Sequence, residues 1–109
     1  MDVKLFDPLN LKNFHKDDQI LHDVESKRLT IEIPISAILN ASFVNRAKLM
    51  NNLRIFLKKV IKRGTPFVFT LNSKDKFEEK NERELTAILQ MLGLTFAQSK
   101  AHARKVIRK

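Results

Sequence analysis

The chain has no cysteine, tryptophan or tyrosine, and it has only two glycines and three prolines among its 109 residues. Without cysteine it cannot form a disulfide scaffold, a cysteine zinc site or a thiol nucleophile. Two glycines cannot make a glycine-rich phosphate-binding loop, and no Gly-x-Ser-x-Gly sequence is present. No apolar run is long enough to cross a bilayer, and the N-terminal residues lack the apolar core of a signal peptide. We therefore expect one cytoplasmic domain over residues 1–109, with no membrane partner.

The residues that remain as candidates for metal ligands or catalytic bases are His15, His22 and His102. None of them belongs to an HxH or HExxH pattern. The acidic pairs at 17–18 and 78–79 are adjacent in sequence, and adjacent side chains do not converge on one point in a helix or strand. We therefore expect no metal site, no cofactor and no catalytic residue on this chain.

The spacing of apolar residues predicts strands that alternate with helices. Strands are expected at Val3–Phe6, Leu29–Ile33 and Phe67–Leu71. Helices are expected at Asp17–Ser26, at Phe43–Arg63, at Asn81–Leu92 and from Thr95 onward, whereas Ile35–Leu39 is expected to be a turn or irregular. Such alternation indicates an α/β fold of about three parallel strands with flanking helices. A closed (β/α)₈ barrel needs roughly 250 residues. A half barrel, a small open sheet and half of an assembly completed by another chain all remain open.

Two of the predicted helices carry specific expectations about their ends and their buried faces. The longest helix should be capped by Ser42, and its apolar face should comprise Ala47, Met50, Leu53, Leu57, Val60 and Ile61. The last helix should begin with a capping box formed by Thr95 and Gln98. Its inward face should comprise Phe96, Ala103 and Ile107.

The net charge of +9 is concentrated in two segments without acidic residues, 43–63 and 95–109. A helix that needs only solubility usually mixes signs, because Glu–Lys pairs four residues apart stabilise it by a few tenths of a kcal/mol. Helices that lack these pairs favour a phosphate-rich partner. The candidates for contacts with RNA phosphates on the long helix are Arg46, Lys48, Lys58 and Lys59.

The order of these segments resembles a known family. Its pattern is carried by IEIPISAIL at 31–39, by Asn-Leu-Arg at 52–54 and by PFVFTLNSKDKFEEKNERELTAILQMLGL at 66–94. In this pattern the chain is similar to the archaeal ribonuclease P protein component 3, which is related to the thirty-kilodalton subunit of the eukaryotic enzyme. The resemblance covers nearly the whole chain and the C-terminal half to two-thirds of a usual member.

The resemblance implies a partial (β/α) barrel of the polymerase-and-histidinol-phosphatase type, without the metal ligands of that type. It also implies a basic loop, whose first cation falls on Lys74, whose aromatic residue falls on Phe77 and whose last positions run from Lys80 to Arg83. The RNA-binding residues that follow from this loop are Lys74, Lys76, Lys80 and Arg83.

The function implied is that of a subunit of an endoribonuclease that removes 5′ leaders from precursor tRNA. The RNA subunit performs the catalysis and holds the Mg²⁺. The expected partners are the ribonuclease P RNA, protein component 2, precursor tRNA indirectly, and a chain that supplies the missing half of the barrel.

Two alternatives to this function remain. Residues 81–108 could form a helix-turn-helix that binds DNA, because a short Leu-Gly-Leu connection precedes a basic second helix. The chain could instead be a metal-dependent phosphoesterase with the same type of barrel, although it lacks clusters of histidine.

Overall fold

The computed structural model describes residues 4–11, 13–71 and 81–108, and for Asn10 it describes the backbone alone. The strands are β1 (Leu5–Phe6), β2 (Thr30–Pro34), β3 (Phe67–Leu71) and β4 (Ile107–Arg108). The helices are α1 (Gln19–Ser26), α2 (Ile35–Asn40), α3 (Phe43–Arg63), α4 (Glu82–Met91) and α5 (Phe96–Arg104), and a single 3₁₀ turn, Pro8–Asn10, follows β1.

The four strands form one parallel sheet in the order β1-β2-β3-β4. The fold class is therefore α/β with flanking helices, as predicted, but the described part of the chain has four strands where three were expected. Each strand lies beside the strand that precedes it in sequence. Because crossovers between parallel strands are nearly always right-handed, this order places the crossover helices on one face of the sheet.

Most of the core lies between the sheet and the helices. Within the register, Ile31 lies opposite Phe67 and Ile33 lies opposite Phe69. Both isoleucines and Phe69 are buried, and so is Leu71 at the end of β3. Strand β3 is largely covered, since its last three residues are buried and its first two are half-buried.

The long helix α3 has the predicted bounds. Gly64 ends it with a φ of 70°, a left-handed conformation that glycine adopts without steric cost. Ser42 occupies the N-cap position, but its side chain makes no capping hydrogen bond. The buried side chains on α3 are Met50, Leu53, Phe56, Leu57 and Val60. Ala47 and Ile61 were predicted to belong to the apolar face but are exposed. The buried stripe is centred near Leu53 and Val60, and both residues lie to one side of it around the helix.

Residues 35–39 contradict the prediction of a turn or irregular stretch. They form α2, which begins directly after Pro34 and buries Ile35, Ser36 and Ile38. This helix is short and contains two isoleucines, so its helix propensity is weak. It contacts β3 and α3, and this tertiary burial stabilises a helix that the local sequence does not specify.

The C-terminal part of the chain confirms the predicted capping box and corrects the predicted inward face. Asn81 Oδ1 accepts a hydrogen bond from the backbone N–H of Glu84 at 2.9 Å, and Thr95 and Gln98 form the predicted capping box. Ala103 is buried as expected. However, α5 ends at Arg104, and Ile107 lies in β4 with 41% of its surface exposed. Phe96 is 60% exposed. Both were expected to face inward, and α5 instead contacts the sheet through His102, whose ring stacks on that of Phe67 at 4.4 Å.

Candidate nucleic-acid interface

The outer surface of α3 is a continuous stripe of exposed residues. We call this stripe the α3 ridge, and its members are Lys48, Asn51, Ile55, Lys58 and Lys62. They recur at steps of three or four residues, so they lie on one side of the helix, opposite the buried stripe. At a rise of 1.5 Å per residue, the ridge is roughly 21 Å long from Lys48 to Lys62.

The three lysines of the ridge make no hydrogen bond and no ion pair with any residue that the structure describes. The other four cations of α3 each contact a specific protein group. They are Arg46, Arg54, Lys59 and Arg63. The ridge therefore carries positive charge that the described part of the protein does not neutralise, and it presents this charge on a rigid helix.

Arg46 stabilises the C-terminal end of α2. Its Nε donates to the carbonyl oxygen of Ile38 at 3.1 Å, and its Nη2 donates to those of Leu39 at 2.7 Å and Ala41 at 3.3 Å. The last carbonyls of a helix have no partner within the helix, and a cation at this end is favoured by the helix dipole. The side chain therefore has a structural role, and its predicted contact with RNA stays a prediction.

Lys59 joins α3 to the segment that precedes α1. Its Nζ lies 2.8 Å from Asp18 Oδ1 and donates a second hydrogen bond to the backbone carbonyl of His15 at 3.0 Å. The hydrogen bond and the charge of Lys59 lower the pKa of the Asp18 carboxyl below its ordinary value of 3.8. Because the ammonium is engaged in this way, its attraction for an external phosphate is partly offset.

Arg63, the last residue of α3, makes a similar contact one helical turn beyond Lys59. Its Nε lies 2.8 Å from Glu25 Oε1, and its Nη2 donates to Glu25 Oε2 at 2.9 Å, so the pair is bidentate. The hydroxyl of Thr65 also donates to Oε1. The hydrogen bond from Arg63 lowers the pKa of Glu25, and that same bond raises the pKa of Arg63. The acids that α3 lacks are thus supplied by the neighbouring segment at 17–25.

The Glu25–Arg63 pair predicts a pH-dependent contribution to stability. The pKa of Glu25 is lower in the folded state than its ordinary value of 4.5, so the unfolded chain binds the proton more readily. The stabilisation is therefore complete above pH 4.5 and is lost as the pH falls through the lowered pKa. We expect Glu25→Gln to lower Tm at neutral pH and to lower it less at an acidic pH below 4.5.

Thermal unfolding at the two pH values measures this effect, and a double-mutant cycle controls it. In the Glu25→Gln background, Arg63→Gln should lower Tm by less than it does in the wild-type protein. A Tm difference between Glu25→Gln and the wild type that is the same at both pH values would contradict the assignment.

Beside the ridge, a groove of about 1010 Å³ separates α3 from the segment that follows β1. We call it the α3 groove. Its polar lining consists of lysine, asparagine and one histidine, and the described lining contains no acidic side chain. The polar lining residues are Asn13, His15, Lys16, Asn45, Lys48, Asn51, Asn52 and Lys59. An open groove with ammonium and amide groups suits the phosphates and the polar edges of a nucleic acid.

Both sides of the α3 groove are supported by the folded core. Asn45, Lys48, Asn52 and Lys59 lie on one side of α3, since they are spaced by three, four and seven residues. The opposite side is held by Phe14, which is buried and packs edge-to-face on Phe56 with ring centroids 5.4 Å apart. His15 is also buried, and its Nδ1 has no hydrogen-bond partner among the residues that the structure describes. The groove is thus built on core contacts rather than on a free loop.

The structure separates the predicted RNA-binding residues into four groups, one of which is Arg46 alone, at the C-terminal end of α2. Lys48 and Lys59 line the α3 groove, and Lys58 lies on the neighbouring ridge. Arg83 lies on a different element, α4. The loop lysines Lys74, Lys76 and Lys80 lie outside the described residues.

Several residues of this surface, including Lys62, Lys16 and Asn52, were not among the sequence-predicted contacts. Lys62 belongs to the ridge, Lys16 lines the groove from the opposite side, and Asn52 lies one helical turn from Lys48. The spacing of Lys48, Lys58 and Lys62 on one helix is readable from the sequence, so the ridge could have been predicted. The approach of Lys16 to α3 depends on tertiary packing and has no local signal.

No group of three metal-ligating side chains occurs in residues 4–11, 13–71 and 81–108, and no helix within these ranges is long and apolar enough to span a membrane. Comparisons of the chain with protein-family models, with curated proteins and with solved structures find no match.

Proposed function

We propose that this protein binds structured RNA by neutralising backbone phosphates, as a protein subunit of a ribonucleoprotein of the ribonuclease P type. The observation that supports this is the α3 ridge, whose three lysines are exposed and make no ion pair with the described part of the chain. Cations on a rigid helix contact phosphates without a large cost in ordering the site.

The α3 groove supports the same proposal. Its lysines lie beside asparagine amides that can donate and accept hydrogen bonds, and no carboxylate of the described residues lines it. A neutral metabolite would not need a surface with this excess of positive charge, whereas an RNA backbone carries one negative charge per nucleotide. The protein would contribute binding, and the RNA would carry the reaction and its Mg²⁺.

The assignment to the ribonuclease P type depends on the resemblance and on the topology. Four parallel strands in sequential order are the arrangement that a partial (β/α) barrel requires. In this proposal the protein is the component 3 subunit, component 2 is its protein partner, and precursor tRNA is processed by the holoenzyme. A chain that completes the barrel would pair with one of the two outer strands, β1 or β4.

We expect replacement of the ridge lysines to weaken RNA binding and to reduce its dependence on salt. In Lys48→Gln/Lys58→Gln/Lys62→Gln, three phosphate contacts are lost. The slope of log K against log salt should therefore decrease by about two to three units, roughly 0.7 to 0.9 per contact. Binding of a fluorescent RNA hairpin, titrated at several salt concentrations, measures the slope.

The control is Lys4→Gln/Lys27→Gln/Lys105→Gln, which removes the same charge from three exposed lysines that lie outside α3. We expect this control to keep most of the wild-type slope. Equal slopes for the two triple variants would mean that only net charge matters, and the ridge would not be the binding surface.

Purification of the protein from its native cells distinguishes the proposed partner from the alternatives. We expect ribonuclease P RNA and protein component 2 to be retained, as identified by sequencing of the RNA and mass spectrometry of the protein. Preferential binding to duplex DNA over structured RNA would favour the helix-turn-helix at residues 81–108. Against that alternative, α5 packs on β3, a strand between β2 and β4. The helix pair is thus part of the α/β layer.

A further inference from the structure

A second groove, of about 500 Å³, lies between α4 and α5. We call it the α4–α5 groove. One wall is formed by Arg83, Ala87 and Gln90, which are spaced by four and three residues and therefore lie on one side of α4. The other wall is formed by Phe96 and Lys100, one helical turn apart on α5. Ala87 has only a methyl side chain, which leaves space between the two walls.

Phe96 is exposed although the helix that carries it is well packed. The inward side of α5 consists of the buried Ser99 and Ala103, together with His102, which stacks on Phe67. The core therefore does not use Phe96, and 60% of its surface is open to solvent. A single exposed aromatic side chain is ordinary on a protein surface, but this one lines a concave site together with two cations.

The two cations of the groove are not neutralised by the described part of the protein. Arg83 and Lys100 make no ion pair and no side-chain hydrogen bond with any described residue. The acidic residue of the lining, Glu82, is paired with Arg104, whose Nε lies 3.0 Å from Glu82 Oε1. The groove therefore combines a flat apolar ring and the amide of Gln90 with two positive charges that have no ion-pair partner in the described part of the chain.

We propose that the α4–α5 groove binds one unpaired nucleotide of RNA. The base stacks on the ring of Phe96, the amide of Gln90 hydrogen-bonds to an edge of the base, and Arg83 and Lys100 contact the phosphates on either side. This site deepens the proposed function and rests on it, because it assumes that RNA is the partner of the protein.

The chemistry of the groove favours a nucleotide over an acidic peptide. A peptide carboxylate would pair with Arg83 and Lys100 but would make no specific use of an exposed aromatic ring. A nucleotide uses both parts, since every base has a flat face that stacks on an aromatic side chain and every phosphate is an anion. The volume of about 500 Å³ lies in the range of sites that hold a small organic group.

The test uses the full chain and two RNA probes. The first is a hairpin with a single-stranded tail that contains 2-aminopurine, whose fluorescence falls when the base stacks. The second is the same hairpin without the tail. We expect Phe96→Leu to weaken binding of the tailed probe on the order of 5- to 150-fold, because stacking on an aromatic ring is lost while an apolar side chain is kept. Binding of the blunt hairpin should not change, and Phe96→Tyr should restore both affinity and fluorescence quenching.

The matched control is Met91→Ala, which truncates an exposed apolar residue of α4 outside the groove lining. It should bind both probes as the wild type does. Wild-type affinity of Phe96→Leu for the tailed probe would overturn the nucleotide site. An equal loss of affinity of Phe96→Leu for both probes would also overturn it. A third contradicting result would be that an acidic peptide displaces the tail from the wild type but not from Phe96→Leu.

Failure of the nucleotide site is distinguishable from failure of the proposed function. If Phe96→Leu binds normally while the triple lysine variant of the ridge loses its salt dependence, only the nucleotide site is wrong. If neither the wild type nor any variant binds either probe, the proposed function fails, and the nucleotide site fails with it.

Discussion

Replacing Leu53 with alanine should remove a large part of the free energy of unfolding of the protein. Leu53 lies on the inner side of α3 with 0% of its surface exposed. Truncation removes buried methyl groups and leaves a cavity, which typically costs about 2–5 kcal/mol. A domain of this size has a total stability of roughly 5–15 kcal/mol. The expected loss is therefore roughly a third of the total.

Urea denaturation measures this loss as a lower midpoint with an unchanged slope of the transition. The matched control is Ile55→Ala, two residues further along the same helix, because 41% of the surface of Ile55 is exposed. A change at such a surface position is usually within about 0.5 kcal/mol. Comparable midpoints for the two variants would mean that α3 does not pack on the sheet as described.

The second large effect is expected for Arg46→Lys, which keeps the positive charge but loses the planar guanidinium. Arg46 donates to three backbone carbonyls at the end of α2, and one lysine ammonium cannot reproduce this fork. Hydrogen bonds from a charged group are worth about 1.5–3 kcal/mol. We therefore expect the free energy of unfolding to fall by about that amount.

The same pair of measurements separates the structural role of Arg46 from phosphate binding. Arg46→Lys should lower stability and leave the salt slope for RNA unchanged. Lys48→Gln should leave stability unchanged and reduce the salt slope, since Lys48 is exposed and has no partner among the described residues. If Arg46→Lys kept full stability but weakened RNA binding, the guanidinium would belong to the interface rather than to the end of α2.

Local sequence signals were sufficient for the elements that are long or clearly capped. The bounds of α3 and β3 follow from the recurrence of apolar residues and from the glycine after α3. The capping box at Thr95 and Gln98 follows from residue identity alone. These signals are local, and the structure preserves them because packing and propensity favour the same conformation.

Elements that depend on distant contacts could not be predicted in the same way. The helix at 35–40 is stabilised by burial against β3 and α3, and β4 consists of two residues that pair with β3. No local signal places Phe96 outside the core, because its spacing from Ala103 fits an inward face. Only the packing of α5 through Ser99, Ala103 and His102 decides which side of that helix is covered.

The candidate interface was predictable in its charge but not in its arrangement. The absence of acidic residues from α3 is visible in the sequence. The sequence does not reveal that Asp18 and Glu25 neutralise Lys59 and Arg63, because those contacts join residues about forty positions apart. Of the seven cations of α3, the three lysines of the ridge thus have no partner among the described residues.

The phosphate-binding role of the ridge is tested most sharply by the salt dependence of binding between the wild-type protein and a structured RNA. If the protein holds RNA through phosphate contacts of the ridge, log K should fall linearly with log salt. The slope should be at least about two to three units in magnitude, which corresponds to three contacts. Affinity that does not change with salt, or no measurable binding at about 0.15 M ionic strength, would contradict this role.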